Sequence, residues 1–146
     1  MIKDKFVLGI IIATILIFVG GAFLMTKQST SQVPDGEIVD KKGVHWHPKV
    51  VIYIKGEKEE LTDGIGLGAV HETIHTHTQD YKNGVVHIEK QGIVTKDDIK
   101  LGRFFQIWGK KLSDNGPFKM YVNGNENTDY ENYLMQDKDL IEIKYE

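Results

Sequence analysis

Histidine is the residue type in this chain whose spacing suggests chemistry. Four of its six copies fall within His71 to Glu89, HETIHTHTQDYKNGVVHIE, and the other two form His45-Trp46-His47. His-x-His therefore occurs twice, as His45/His47 and His75/His77. In a β-strand, residues two apart point to one face, so each pair sets two imidazoles side by side. Neutral imidazole is the commonest side-chain metal ligand and suits zinc, copper and nickel. The candidate ligands of a transition-metal site are thus His45, His47, His75, His77 and His87, with copper or zinc as the ion. Glu89 or Asp80 would add a carboxylate, as a ligand or as the partner that orients an imidazole. His71 lies four residues before His75 and joins only if a helical turn brings it round.

The elements must bring these side chains to one point. Val85 to Ile88 reads as a strand after the turn signal Asn83-Gly84, and Ile74 to Thr78 folds back on it as a hairpin. A three-residue loop sets His77 opposite His87 and His75 opposite Glu89. A two-residue Asn-Gly turn instead pairs Asp80 with His87, on the other face from His75 and His77. The sequence leaves both registers open. Upstream, Val44 to Ile54 alternates as one strand, with Val44, Trp46, Val50 and Ile52 towards the core and His45 and His47 on the more polar face. Pro48 makes part of that strand an edge or a bulge.

Further on, Lys55-Gly56 turns into a short strand ending near Leu61. The run Asp63-Gly64-Ile65-Gly66-Leu67-Gly68 lacks the Lys-Ser/Thr of a phosphate loop and reads as a permissive loop. Thr95 to Asp98 carries a capping pattern before Leu101, Phe104, Phe105 and Trp108, the apolar stripe of a helix that stops at Gly109. Phe118 to Val122 and Leu140 to Tyr145 read as strands, with a turn at Asn123-Gly124 and a short irregular piece from Tyr130 to Leu134. Met120 and Met135 sit among apolar neighbours and are read as core, not as soft copper ligands.

The N-terminal segment sets the expected compartment. Phe6 to Met25 is uncharged for twenty residues, which as a helix spans roughly 30 Å, the thickness of a bilayer core. It is longer than the apolar region of a signal peptide and lacks a clear small-x-small end, so an uncleaved anchor is expected. Lys3 and Lys5 before the span favour a cytoplasmic N-terminus and an extracytoplasmic domain at the cell membrane. The expected organisation is 1–5 cytoplasmic, 6–25 transmembrane anchor, 26–43 flexible tether and 44–146 extracytoplasmic domain. No cysteine is present, which removes thiolate ligands and Cys nucleophiles. A net charge of −3 with no basic stripe argues against nucleic acid as a partner.

The order of strand hairpin, helix, strand, short piece and final strand resembles the β-grasp (ubiquitin-like) fold. The likeness is loose over Val44 to Leu61 and better over Leu101 to Tyr145, where Asp129-Tyr130 and Asp139-Leu140-Ile141-Glu142-Ile143 resemble that fold's closing turn and strand. The fold class expected is α+β: a β-grasp-like mixed sheet with one packed helix and a His-rich β-hairpin insertion, preceded by a transmembrane helix. The chain also resembles a group of membrane-tethered microbial proteins sharing His-Trp-His-Pro, Ile-His-Thr-His, His-Ile-Glu and Phe-Phe-x-Ile-Trp-Gly. That group brings no established activity with it, and fold alone does not supply one.

Three functions compete. The first is metal capture, buffering or delivery to a membrane partner. The second is a metal-free interaction or pH-sensing module, since a polar sheet face carries surface histidines without any ion. The third is a small metal-dependent enzyme, in which three histidines leave a fourth position open and Glu72 or Glu89 acts as base. His75 to Asp80 resembles the metallo-β-lactamase motif only in part, lacking the final His and displacing the Asp. No serine elbow and no second cupin motif are visible. Binding rather than turnover is the expectation.

Overall fold

Pro48 has no N–H to give to a ladder, and the chain changes sheets there. The single strand expected over Val44 to Ile54 is in fact two, β2 (Gly43–Trp46) and β3 (Lys49–Ile54), in different sheets. Bonds outside either ladder stitch the break: His47 N–H donates to Asp137 Oδ1 at 2.9 Å, Lys49 N–H to Asp139 O at 2.7 Å, and Pro48 O accepts from Val86 N at 2.9 Å. The computed structural model describes residues 33–146, and 34–146 form one compact unit. The segments expected as cytoplasmic N-terminus and anchor, 1–5 and 6–25, lie outside the described residues, as does 26–32 of the tether. Among the described residues, no helix is long and apolar enough to cross a membrane.

The chain is α+β, with three sheets and one α-helix among the described residues. The largest sheet runs β4 (Glu57–Glu59), β3, β10 (Leu140–Tyr145), β8 (Phe118–Val122), β9 (Asn125–Glu126). Its central pair, β3 and β10, is parallel, and β10 is antiparallel to β8. Alternate residues Val50, Ile52, Ile141, Ile143 and Met120 are buried from these strands, together with Met135. Helix α1 (Leu101–Trp108) inserts Leu101, Phe104 and Phe105 into the same apolar cluster, as its stripe predicts. Gly109 ends it in the left-handed region at φ 74°, with Lys110 N–H donating back to Phe105 O.

The second sheet carries the histidines: β2, β6 (His87–Gln91) and β5 (Ile74–His75), all antiparallel. Trp46, Ile88 and Ile74 lie in register across it and face the core. A third, two-stranded sheet pairs β1 (Ile38–Asp40) with β7 (Val94–Thr95). Strand β1 falls within 26–43, expected to be flexible tether throughout. The polar composition hid it, because its order comes from pairing with a distant strand rather than from its own periodicity.

Both hairpin registers expected from sequence are incorrect: Ile74 pairs with Ile88 and His75 with His87. Asn83-Gly84 is not the hairpin turn but the end of a 3-10 turn, Tyr81–Asn83. Gly84 sits at φ 81°, where a Cβ would lie 2.6 Å from Val50 O, and Gly84 O accepts from Val50 N at 2.8 Å. The loop is thus docked on β3, and that docking, not loop length, sets the register.

Before the helix, the expected capping pattern is complete, but it closes the 3-10 turn Lys96–Ile99 rather than α1, whose N-cap Lys100 makes no side-chain cap bond. Asp98 Oδ2 accepts from Thr95 N at 2.7 Å, Thr95 Oγ1 at 2.8 Å and Lys90 Nζ at 2.6 Å. Burial of Asp98 opposes its ionisation, but the Lys90 ammonium and the Thr95 donors outweigh it and hold the carboxyl below its ordinary value. Replacing Asp98 by alanine is expected to cost ~1–2 kcal/mol in urea unfolding at neutral pH. The folded-state pKa lies below the unfolded one, so this stabilisation is present above about pH 3.9 and is lost as pH falls through the folded value. The gap between wild type and Asp98→Ala should therefore narrow in acid.

Candidate metal centre

Strand pairing builds the site from the backbone outwards. Because Trp46, Ile88 and Ile74 take the core side of the second sheet, His45, His87, Glu89 and His75 take the other. His45 stands opposite Glu89, and His87 opposite His75. His47 follows β2 on the same side, and His77 follows β5 by two residues. The rings then run in unbroken sequence. Centroid separations are 4.7 Å for His45/His47 and His47/His87, 4.5 Å for His77/His87, and 4.8 Å for His75/His77. His71 joins as well, with its ring centroid 4.4 Å from that of His75.

Two overlapping groups of four residues place one ligand atom each within 4.8 Å of every other: His45, His47, His87, Glu89, and His75, His77, His87, Glu89. All five sequence-derived ligand candidates are among them. Glu89 Oε1 is where they converge, 3.2 Å from His45 Nε2, 3.5 Å from His87 Nδ1 and 4.0 Å from His75 Nε2. A tetrahedral ion with ligands at about 2.0–2.1 Å needs donor separations of about 3.4 Å. His87 to Glu89 at 3.5 Å and His45 Nε2 to His47 Nε2 at 3.1 Å are near that spacing.

Surrounding groups decide which nitrogen each buried imidazole can offer. Glu72 O only accepts, so the 3.1 Å contact makes His75 Nδ1 the donor and leaves its Nε2 lone pair facing the cluster. The Asp80 carboxylate likewise accepts from His87 Nε2 at 2.9 Å and frees Nδ1. His87 Nδ1 is one of two buried side-chain polar atoms without a hydrogen-bond partner among the described residues; the other is Asp80 Oδ1. An orphaned buried acceptor is costly to leave unfilled. Here it faces a carboxylate and other imidazoles, the surroundings a cation would complete. Burial pushes His75 below its ordinary pKa, aided by His71 and His77 and opposed by the Glu72 carbonyl and Glu89. Its neutral, metal-binding form is the favoured one.

Several supporting residues left no signal in the sequence pattern. The glycine-rich run, read as a permissive loop, backs β5. Thr76 N donates to Ile65 O at 3.0 Å, Thr76 Oγ1 accepts from Ile65 N at 3.0 Å and donates to Thr62 O at 2.8 Å, and Glu72 N donates to Gly66 O at 2.9 Å. Gly66 sits at φ 74°, and a Cβ there would lie 2.4 Å from Ile74 O. Glu72, considered as a catalytic base, is instead tied to Arg103 of the helix at 3.1 Å. Thr76, between the two histidines of its motif, is fully buried; by strand alternation it points away from them, the one sequence cue to its anchoring role. Met120 and Met135 are fully buried in the core.

No protein-family model, curated protein or solved structure matches this chain.

Two substitutions test the support. Gly66→Ala is expected to cost at least ~1–2 kcal/mol from the left-handed backbone alone, before the clash with Ile74 O, and denaturant unfolding measures it. Asp80→Asn keeps the shape but no longer fixes His87 with Nδ1 free. Removing such a partner costs metal affinity about 10–100-fold, measurable by competition against a chelator of known affinity.

Proposed function

We propose that this protein binds a transition-metal ion, Cu(II) or Zn(II), through His45, His47, His75, His77 and His87 with Glu89. Its role in this reading is capture, buffering or delivery rather than turnover. The observation that carries the reading is the convergence of two four-ligand groups on His87 and Glu89, with His87 Nδ1 buried and unpartnered. Nitrogen and oxygen donors without sulfur suit both ions, and the general affinity order favours copper.

The compartment and mounting belong to the same proposal. The uncharged run Phe6 to Met25 supports a membrane anchor, and Lys3 and Lys5 support an extracytoplasmic domain that passes its ion to a membrane partner. The lack of any basic stripe supports a role without nucleic acid. We also read the domain as β-grasp-like. The sheet order β4-β3-β10-β8-β9 with its parallel central pair, and one helix packed on it, support that architecture. The histidine-bearing sheet would be an elaboration, with β2 ahead of the first hairpin and β5 and β6 between that hairpin and the helix.

Equilibrium dialysis of the full chain is the direct test. Retention of copper or zinc at micromolar free ion near neutral pH is expected, and His87→Ala should lose it while the circular dichroism spectrum is kept. No retained copper or zinc would remove the proposal and leave a metal-free interaction face.

A further inference from the structure

The two ligand groups are unequal, and the inequality has a direction. In the inner group, His75 is fully buried and His87 has a side chain only 11 % exposed. Both are fixed from behind, His75 by the Glu72 carbonyl and His87 by Asp80, while Glu72 is itself clamped by Arg103. In the outer group, His45 is 65 % exposed, and its ring contacts His47 and Glu89. Among the described residues, the side chain of His47 has only His45 as a hydrogen-bonding partner. A groove of about 370 Å³, lined in part by His45, His71 and Glu89, opens beside the outer group.

The shared residues limit how many ions fit. His87 has given Nε2 to Asp80, so it offers one nitrogen to one ion at a time. Two dications would then share a single carboxylate ligand, Glu89, and their repulsion scales with the product of their charges. Simultaneous filling is disfavoured by ligand supply and by electrostatics alike.

From this we infer that the site has two positions for one ion: a solvent-facing loading position on His45 and His47, and a buried holding position on His75 and His77, with His87 and Glu89 as the pivot common to both. The inference rests on the metal-binding reading. Passage between positions exchanges two imidazoles for two others while the pivot ligands stay attached, so the ion is never bare. The buried, prefixed His75 supplies affinity, and the exposed His45 supplies rapid exchange with an incoming or outgoing ligand.

The test uses the full chain and Zn(II) alone, with metal content by elemental analysis and release followed by stopped-flow mixing with a chromogenic chelator. Wild type is expected to hold one zinc per chain. The double variant His45→Ala/His47→Ala, at one exposed and one half-buried position, should still bind one zinc on the inner group but take it up and release it more slowly. His77→Ala, at a half-buried position, should lower affinity about 10–100-fold and release faster. Two zinc ions per wild-type chain would overturn the two-position scheme and leave metal binding intact. So would an outer double variant that releases zinc at the wild-type rate, or that loses zinc outright. A wild-type chain that holds no zinc would overturn the scheme for zinc, and dialysis with copper then decides the underlying reading separately.

Discussion

The register of β6 against its two neighbours is the constraint on which everything else depends. With His87 opposite His75 and Glu89 opposite His45, one face of a small sheet turns Trp46, Ile88 and Ile74 to the core and the other gathers imidazoles round a carboxylate. A slip by one residue would turn Ile88 outwards and bury His87 and Glu89 among Phe104 and its neighbours. Core packing and site assembly are two faces of one alignment. The side chains that hold it, Trp46, Ile88 and Ile74, are not ligands at all.

Crowded imidazoles repel one another when charged, and for His75 burial adds to that cost. Carbonyl and carboxylate partners fix which nitrogen of His75 and His87 carries the proton, and burial of His75 disfavours adding a second. The remaining lone pairs face inward. Glu89 is the one carboxylate among these rings that keeps an oxygen turned towards several of them, while Asp80 stands behind His87.

Much of this was legible in the sequence, unevenly. The faces of β2 could be read from alternation, because Val44 and Trp46 differ so plainly from His45 and His47. The stripe of α1 and the cap at Thr95 to Asp98 were equally plain. What could not be read was whatever depends on contacts between distant segments. Gly84 looks like a hairpin turn residue, but its left-handed conformation serves close approach to Val50. Gly66 looks like loop filler, but it lets a backbone lie against Ile74. Strand β1 has too few residues to carry a period. The five clustered ligand candidates were found because their type is rare and their spacing strand-like; the register that brings them together was not.

The change of sheet at Pro48 has a mechanical meaning. Residues 84–91 run first along the start of β3, through the bonds of Gly84 and Val86 and the Lys49–Val85 bridge, and only then along β2. The strand bearing His87 is therefore fastened to the central parallel pair on one stretch and to the histidine sheet on the next. Parting His75 from His87 requires loosening the core, so the buried half of the site and the domain open together. Folding itself, rather than the arrival of an ion, meets the entropic cost of gathering the buried donors.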